Sequence, residues 1–220
     1  MKAICSCKDC RNSRRAPIKP GLDDYSLVSS ATGRYPFISD EDAMRRSRSD
    51  AWPITDFASH QMMVDVVNVY RNHFKSAIDF QEKWNSEIRN FFAKFPEGGQ
   101  RIVEIHGGLV RIKSFKAEGI ALMIAHEVGH HFGGAPKDLV ETWRSCEGQA
   151  DYYAVSVMRE VFGVSNYINM TRKAIRQVTK FFGAFSPILG ISGCAHPSYA
   201  CRIDIFNAAL NGDPMPVCGT

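Results

Sequence analysis

A chain of 220 residues, 45% of them hydrophobic, can bury one full core without metal or disulfide staples. Its formal charge of +4 is modest, and the basic residues cluster at 11–19 and 45–48 rather than along one helix face interleaved with aromatics, so no nucleic-acid partner is expected. No apolar run approaches the roughly 20 residues of a membrane-spanning helix, the nearest (181–195) being short and broken by Pro187 and several glycines.

Taken in chain order, residues 1–38 carry Pro17, Pro20, Gly21, Gly33 and Pro36 with few periodic apolar positions, which predicts a basic, cysteine-containing arm. Residues 39–220 are expected to form a single domain. Residues 56–95 are amphipathic at helical spacing through Met63, Val66, Val67, Tyr70, Phe74, Ile78, Trp84, Ile88, Phe91 and Phe92, so one long helix is expected, closed by Gly98-Gly99. Ser39, Asp40 or Thr55 would cap the helices of this region. Residues 101–113 alternate through Ile102, Val103, Ile105, Leu109, Val110 and Ile112, which predicts a strand. A strand in this position suits a sheet edge that binds an extended peptide through main-chain hydrogen bonds, or equally an internal strand of a small sheet.

The next segment carries the strongest chemical signal. His126-Glu127-Val128-Gly129-His130 follows the apolar run Ile120-Ala121-Leu122-Met123-Ile124-Ala125 and is followed by Gly133-Gly134, a pair suited to a left-handed C-cap. Residues four apart on a helix lie one turn above each other, so both imidazoles can face one metal ion. Glu127 stands beside them as a general base for water. Zinc with one open position takes three protein ligands, so a third is required. An extended motif ending in a third histidine is closed off, because Pro136 stands at that position. Residues 138–162 read as a helix, with Glu147 and Asp151 four apart on one face beside Gly148 and Ala150. Glu147 is the expected third ligand, with Glu141 and then Asp138 as alternatives. Asp151 is expected to accept the free N–H of a ligand imidazole. Residues 169–182 and 198–210 read as further helices, so the expected class is mainly helical α+β.

His126-Glu127-x-x-His130 followed by Glu147-x-x-Ala150-Asp151 resembles the gluzincin metallopeptidases of the HtpX and CAAX-prenyl-protease type, over residues 100 to 210 or so. Gly107-Gly108-Leu109 is similar to the family's strand before the metal helix, and His196-Pro197 with Arg202-Ile203 to its C-terminal signature. The resemblance implies a zincin-like fold whose small sheet presents an edge strand, His106, Gly107, Gly108 and Leu109, to a protein or peptide substrate. It implies one catalytic zinc held by His126, His130 and Glu147, with Glu127 as the general base. His196 and Arg202 would then stand near the substrate or the developing oxyanion. The absence of membrane spans points to the family's soluble periplasmic or secreted members, and to a zinc-dependent endopeptidase. The alternative function is a latent or non-hydrolytic zinc-bearing chaperone or binding module. His106 and His131 read as structural or solvated side chains, with covering of the zinc as their other possible role.

Seven cysteines are many for a reducing compartment. Cys146, Cys194, Cys201 and Cys218 surround the chemical motifs, so disulfides and an extracytoplasmic location are favoured. Cys5, Cys7 and Cys10 form a cluster with no clear fourth metal ligand. Residues 1–5 lack an apolar stretch long enough for a signal peptide, so an exported chain would need a signal beyond this sequence, and a cytosolic chain would not.

Overall fold

Asp56 opens the first helix: its carboxylate accepts the Ser59 backbone N–H at 2.8 Å, closing one of the orphan donors at the N-terminus of α1 (Phe57–Phe74). The computed structural model describes residues 50–220 except 97–98, 140, 183–193 and 195–196. The arm boundary at residue 38, the Cys5–Cys10 cluster and His196 therefore lie outside the described residues. Met63, Val66, Val67 and Tyr70 of α1 face inward at the expected spacing.

The long helix expected over 56–95 ends at Phe74. Lys75 takes a positive φ of 49°, and the chain continues as strands β1 (Asp79–Lys83) and β2 (Phe91–Lys94). The same apolar residues that fit a helical period also supply strand faces, and pairing with β3 (Ile102–His106) decides between the two. β3 lies in the middle, parallel to β1 and antiparallel to β2, with Phe80 opposite Val103 and Phe92 opposite Glu104.

That order corrects two expectations. The strand preceding the HExxH helix is central and not an edge, because β1, read from sequence as helix, occupies its other side. Nor do Gly107, Gly108 and Leu109 form a strand: β3 stops at His106, and Gly107–Val110 is a buried helical turn, α2. Glycine is required there, since a Cβ on Gly107 would collide with the Trp84 carbonyl, and one on Gly108 with the carbonyls of Glu87 and Ile88.

The remaining layer is helical: α3 (Ala117–Phe132), α4 (Glu147–Phe162), α5 (Val164–Phe182) and α6 (Tyr199–Asn211). The fold is mainly helical α+β. Helix α3 is apolar nearly all round, as a helix with no solvent face must be, and it is buried from Gly119 to His131. It packs on α4 and α5 and against β2 and β3. Gly129, inside the HExxH motif, lets α4 approach closely, because a Cβ there would stand 2.5 Å from the Ala150 carbonyl oxygen. Of the glycine pair after α3, Gly133 stays right-handed and Gly134 takes the positive φ of 80°.

The helix expected over 138–162 begins only at Glu147. Residues 137–139 and 141–146 form a folded loop instead, in which the Asp138 carboxylate accepts the Glu141 N–H at 2.9 Å and Arg144 at 3.1 Å. An aspartate that bonds nearby backbone competes with helix formation, and here it wins. Ser198 caps α6, accepting from the Cys201 N–H at 3.2 Å, so Pro197 stands before the cap and not at the first helical position. Among the described residues no helix is long and apolar enough to cross a membrane.

Candidate metal centre

One helical turn separates His126 from His130 on α3, and their rings stand 4.6 Å apart at 78°. Both side chains are buried, as is Glu127 between them. His126, Glu127 and His130 form a group whose ligand atoms all lie within 4.8 Å of one another, and this group could hold a metal ion.

The first residue of α4 completes the surroundings. Glu147 Oε2 lies 3.3 Å from His126 Nε2, and Glu147 Oε1 lies 3.3 Å from His130 Nε2. Glu127 Oε1 is farther from His126 Nε2, at 3.9 Å. Both Glu147 oxygens are buried, and neither accepts an aligned hydrogen bond among the described residues. A buried carboxylate without aligned donors is costly in a closed fold. Two imidazole nitrogens and a carboxylate facing one another off-axis make a donor set of the kind zinc takes.

The back sides of the histidines are held in place. Asp151, one turn along α4 from Glu147, lies 2.8 Å from His126 Nδ1. His130 Nδ1 lies 2.8 Å from the Ser145 carbonyl oxygen and so donates to it. In both rings the Nδ1–H is engaged, which leaves each Nε2 directed at the Glu147 side. Ser145 is itself fixed, its N–H donating to the His130 carbonyl at 2.9 Å and its hydroxyl to the Gly134 carbonyl at 2.8 Å. The loop that cost the expected helix its first turns therefore sets the tautomer of His130, a candidate metal ligand.

Arg202, on α6, is fully enclosed. Its guanidinium donates to Asp151 through Nε at 2.6 Å and Nη2 at 2.8 Å, and Nη2 also lies 3.2 Å from Glu147 Oε2. The sequence reading set Arg202 near the substrate; among the described residues its guanidinium meets the carboxylates of Asp151 and Glu147. Arg202→Gln is expected to weaken metal binding by roughly 10 to 100-fold, the usual effect of losing a group that orients ligands. It should also lower the melting temperature, because the buried Asp151 would keep His126 but lose both guanidinium hydrogen bonds. Metal titration and thermal unfolding of the variant check both; unchanged metal affinity would return Arg202 to the substrate side.

Charge binds the cluster together. Burial works to raise the Glu147 carboxyl, yet the two imidazoles hold it well below the ordinary carboxylate range. Burial likewise opposes charge on His126, but Asp151 and Glu147 outweigh it and raise its pKa to about 9. At pH 7 the His126 ring is thus an imidazolium, and a metal ion bound through its Nε2 would displace one proton. Metal uptake is expected to release about one proton per chain, with apparent affinity rising about tenfold per pH unit below 9. Calorimetric titration in buffers of different ionisation enthalpy measures that proton directly.

Other predicted positions are also placed. His131 points away from the centre, its Nε2 3.0 Å from the Ile102 carbonyl oxygen and its ring stacked 5.2 Å from Trp143. Burial pushes its pKa down to about 4, so it stays neutral. His106 belongs to the sheet and is not brought to the metal group. Asp138 and Glu141 are tied to Arg144, the second at 3.3 Å.

Two pairs of cysteines stand at disulfide distance, Cys146 with Cys194 and Cys201 with Cys218, with Cα separations of 5.6 and 6.0 Å. Each pair includes the residue just before a member of the cluster, Cys146 before Glu147 and Cys201 before Arg202. The Cys194 carbonyl also accepts the Gly148 N–H at 3.0 Å. The pairs fit an oxidising, extracytoplasmic setting. The sequence signal for this was the adjacency of Cys146 to Glu147 and of Cys201 to Arg202, which residue spacing alone did not turn into a pairing. In comparisons with known proteins, no family model, no curated protein and no solved structure matches this chain.

Proposed function

We propose that this chain is a zinc-dependent endopeptidase of the gluzincin type, with His126, His130 and Glu147 as ligands. The observation that carries this reading is the Glu147 carboxylate, buried without an aligned hydrogen bond between two imidazoles whose outer nitrogens are already engaged. Zinc bound there supplies Lewis acidity, polarising a peptide carbonyl and bringing the pKa of water toward neutrality.

The chain's own residues do the rest. Glu127 follows His126 on the same helix and stands beside the ligands without being the nearer carboxylate, which suits a base that takes a proton from the attacking water and returns it to the leaving amine. Asp151 orients His126, the Ser145 carbonyl orients His130, and Arg202 fixes Asp151. With β3 central, the strand offered to an extended peptide is β2, an edge strand among the described residues that packs against the metal helix. The other edge, β1, is partly engaged: the Phe80 carbonyl accepts Arg71 at 2.6 Å. Together with the two cysteine pairs, the reading favours work outside the cytoplasm on protein substrates.

The test is elemental analysis of the purified chain with casein cleavage beside it. About one zinc per chain is expected, with cleavage abolished by a chelator and restored by added zinc. Zinc without cleavage of any protein tried would favour a non-hydrolytic binding module. No bound metal after zinc loading would end the proposal.

A further inference from the structure

Glu104 and His106 project from the same side of β3, opposite to Val103 and Ile105, which enter the core. There they join a residue from the turn after β1. His106 Nδ1 lies 2.8 Å from Ser86 Oγ, and His106 Nε2 lies 3.2 Å from Glu104 Oε2. Lys94 holds the same carboxylate oxygen at 2.7 Å. We propose that Ser86 is the nucleophile of a second, metal-independent catalytic site, with His106 as its base and Glu104 as the group that positions the base. Its substrates are activated esters with aryl or short acyl groups.

The partners of His106 assign its tautomer. A carboxylate only accepts hydrogen bonds, so Nε2 carries the proton and Nδ1 presents its lone pair to the serine hydroxyl. A nucleophile within hydrogen-bond reach of a base, itself oriented by a third group, is the arrangement that activates serine, and it is recognised by geometry and not by chain order. Burial lowers the pKa of His106 against the opposing pull of Glu104, which keeps the ring neutral, as a base must be. Ser86 Oγ also accepts the Ile88 N–H at 3.2 Å, so its own proton is directed to His106.

The turn carrying Ser86 is held firmly. Arg111 donates to the Trp84 carbonyl at 2.7 Å and to the Ser86 carbonyl at 3.3 Å, and pairs with Glu87 at 2.8 Å. The glycine pair of α2 lets that turn lie against the end of β3, since any side chain at Gly107 or Gly108 would strike its backbone. The metal centre makes no use of Gly107-Gly108; placing Ser86 on His106 does.

Ser86 opens on a groove of about 620 Å³ that is also lined by His60, Glu82, Lys83, Trp84 and Asn85, the Glu82 carboxylate being paired with Arg71. The rings of His60 and Trp84 stack at 4.5 Å and give the groove an aromatic wall. Lys83 supplies a cation at the groove for a developing oxyanion. In the reaction, Ser86 Oγ attacks the ester carbonyl carbon while its proton passes to His106. The bond to the leaving alcohol then breaks, and the alcohol takes that proton. Water, deprotonated by His106, cleaves the Ser86 ester and releases the acid, regenerating the serine.

The experiment treats the full chain with a fluorophosphonate probe in the presence of a chelator and maps the adduct by mass spectrometry. Hydrolysis of p-nitrophenyl acetate is followed in parallel. Labelling at Ser86 is expected in the native protein and not after heat denaturation. Ser86→Ala should abolish that adduct, and His106→Gln should slow labelling about 100-fold. Glu104→Gln, at a more accessible position, should slow it about tenfold and decides the matter if His106→Gln fails to fold. An unlabelled Ser86 in the native chain overturns the proposal, and so does labelling at a rate that neither His106→Gln nor Glu104→Gln changes. Since chelator is present throughout, the outcome is independent of the metal centre.

Discussion

Glu147→Gln is expected to empty the metal centre while leaving the fold in place. The substitution keeps the size of the side chain and removes its charge, so α4 can still start at this residue. What is lost is the only carboxylate within 3.3 Å of both His126 Nε2 and His130 Nε2 among the described residues. Removing a group that merely orients a ligand weakens metal binding by roughly 10 to 100-fold, so loss of the ligand itself should cost about 100-fold or more. Zinc content after dialysis against a metal buffer reads this directly, and casein cleavage should disappear with the metal. A variant that retains its zinc in full would transfer the third ligand position to Glu141 or Glu127. Stability moves less simply: Arg202 loses its 3.2 Å contact with Glu147 but keeps both bonds to Asp151. The metal-free variant should therefore unfold at a temperature close to that of metal-free wild type.

Glu127→Gln should give the opposite pattern, full zinc and almost no turnover. The amide preserves shape and burial but cannot take a proton from water, and loss of a general base lowers rates by about 10²–10⁴-fold. Zinc analysis and cleavage assays on the same preparation separate the two roles. Wild-type rates in a zinc-replete Glu127→Gln protein would mean that the base lies elsewhere. The pair of variants also tells the two nearby carboxylates apart, which proximity alone does not, since both are buried beside His126.

Much of the centre was legible because its logic is local. His126, Glu127 and His130 need only the helical period, and the apolar run before them announces a buried helix. Glu147 and Asp151 share a face for the same reason, although the helix carrying them is shorter than the apolar pattern implied. Arg202 was legible as a participant, but its bonds to Asp151 were not, because nothing in a sequence says which buried carboxylate a guanidinium will meet. The Ser145 carbonyl that orients His130 carried no signal at all, being backbone. His196 lies outside the described residues.

The sheet was the least legible part. Residues 79–94 satisfy a helical and a strand pattern about equally, and the choice depends on a partner, β3, that comes later in the chain. Once β1 pairs there, β3 is forced to the centre, the glycines after it become a packed turn, and β1 and β2 are the edges among the described residues. By itself the sequence determined that one buried helix presents two histidines and a glutamate on one turn, since the α-helical repeat leaves those side chains no other arrangement. Only the tertiary structure decided which carboxylate faces both imidazoles, what Arg202 holds, and which strand is central, because each depends on contacts between segments far apart in the chain.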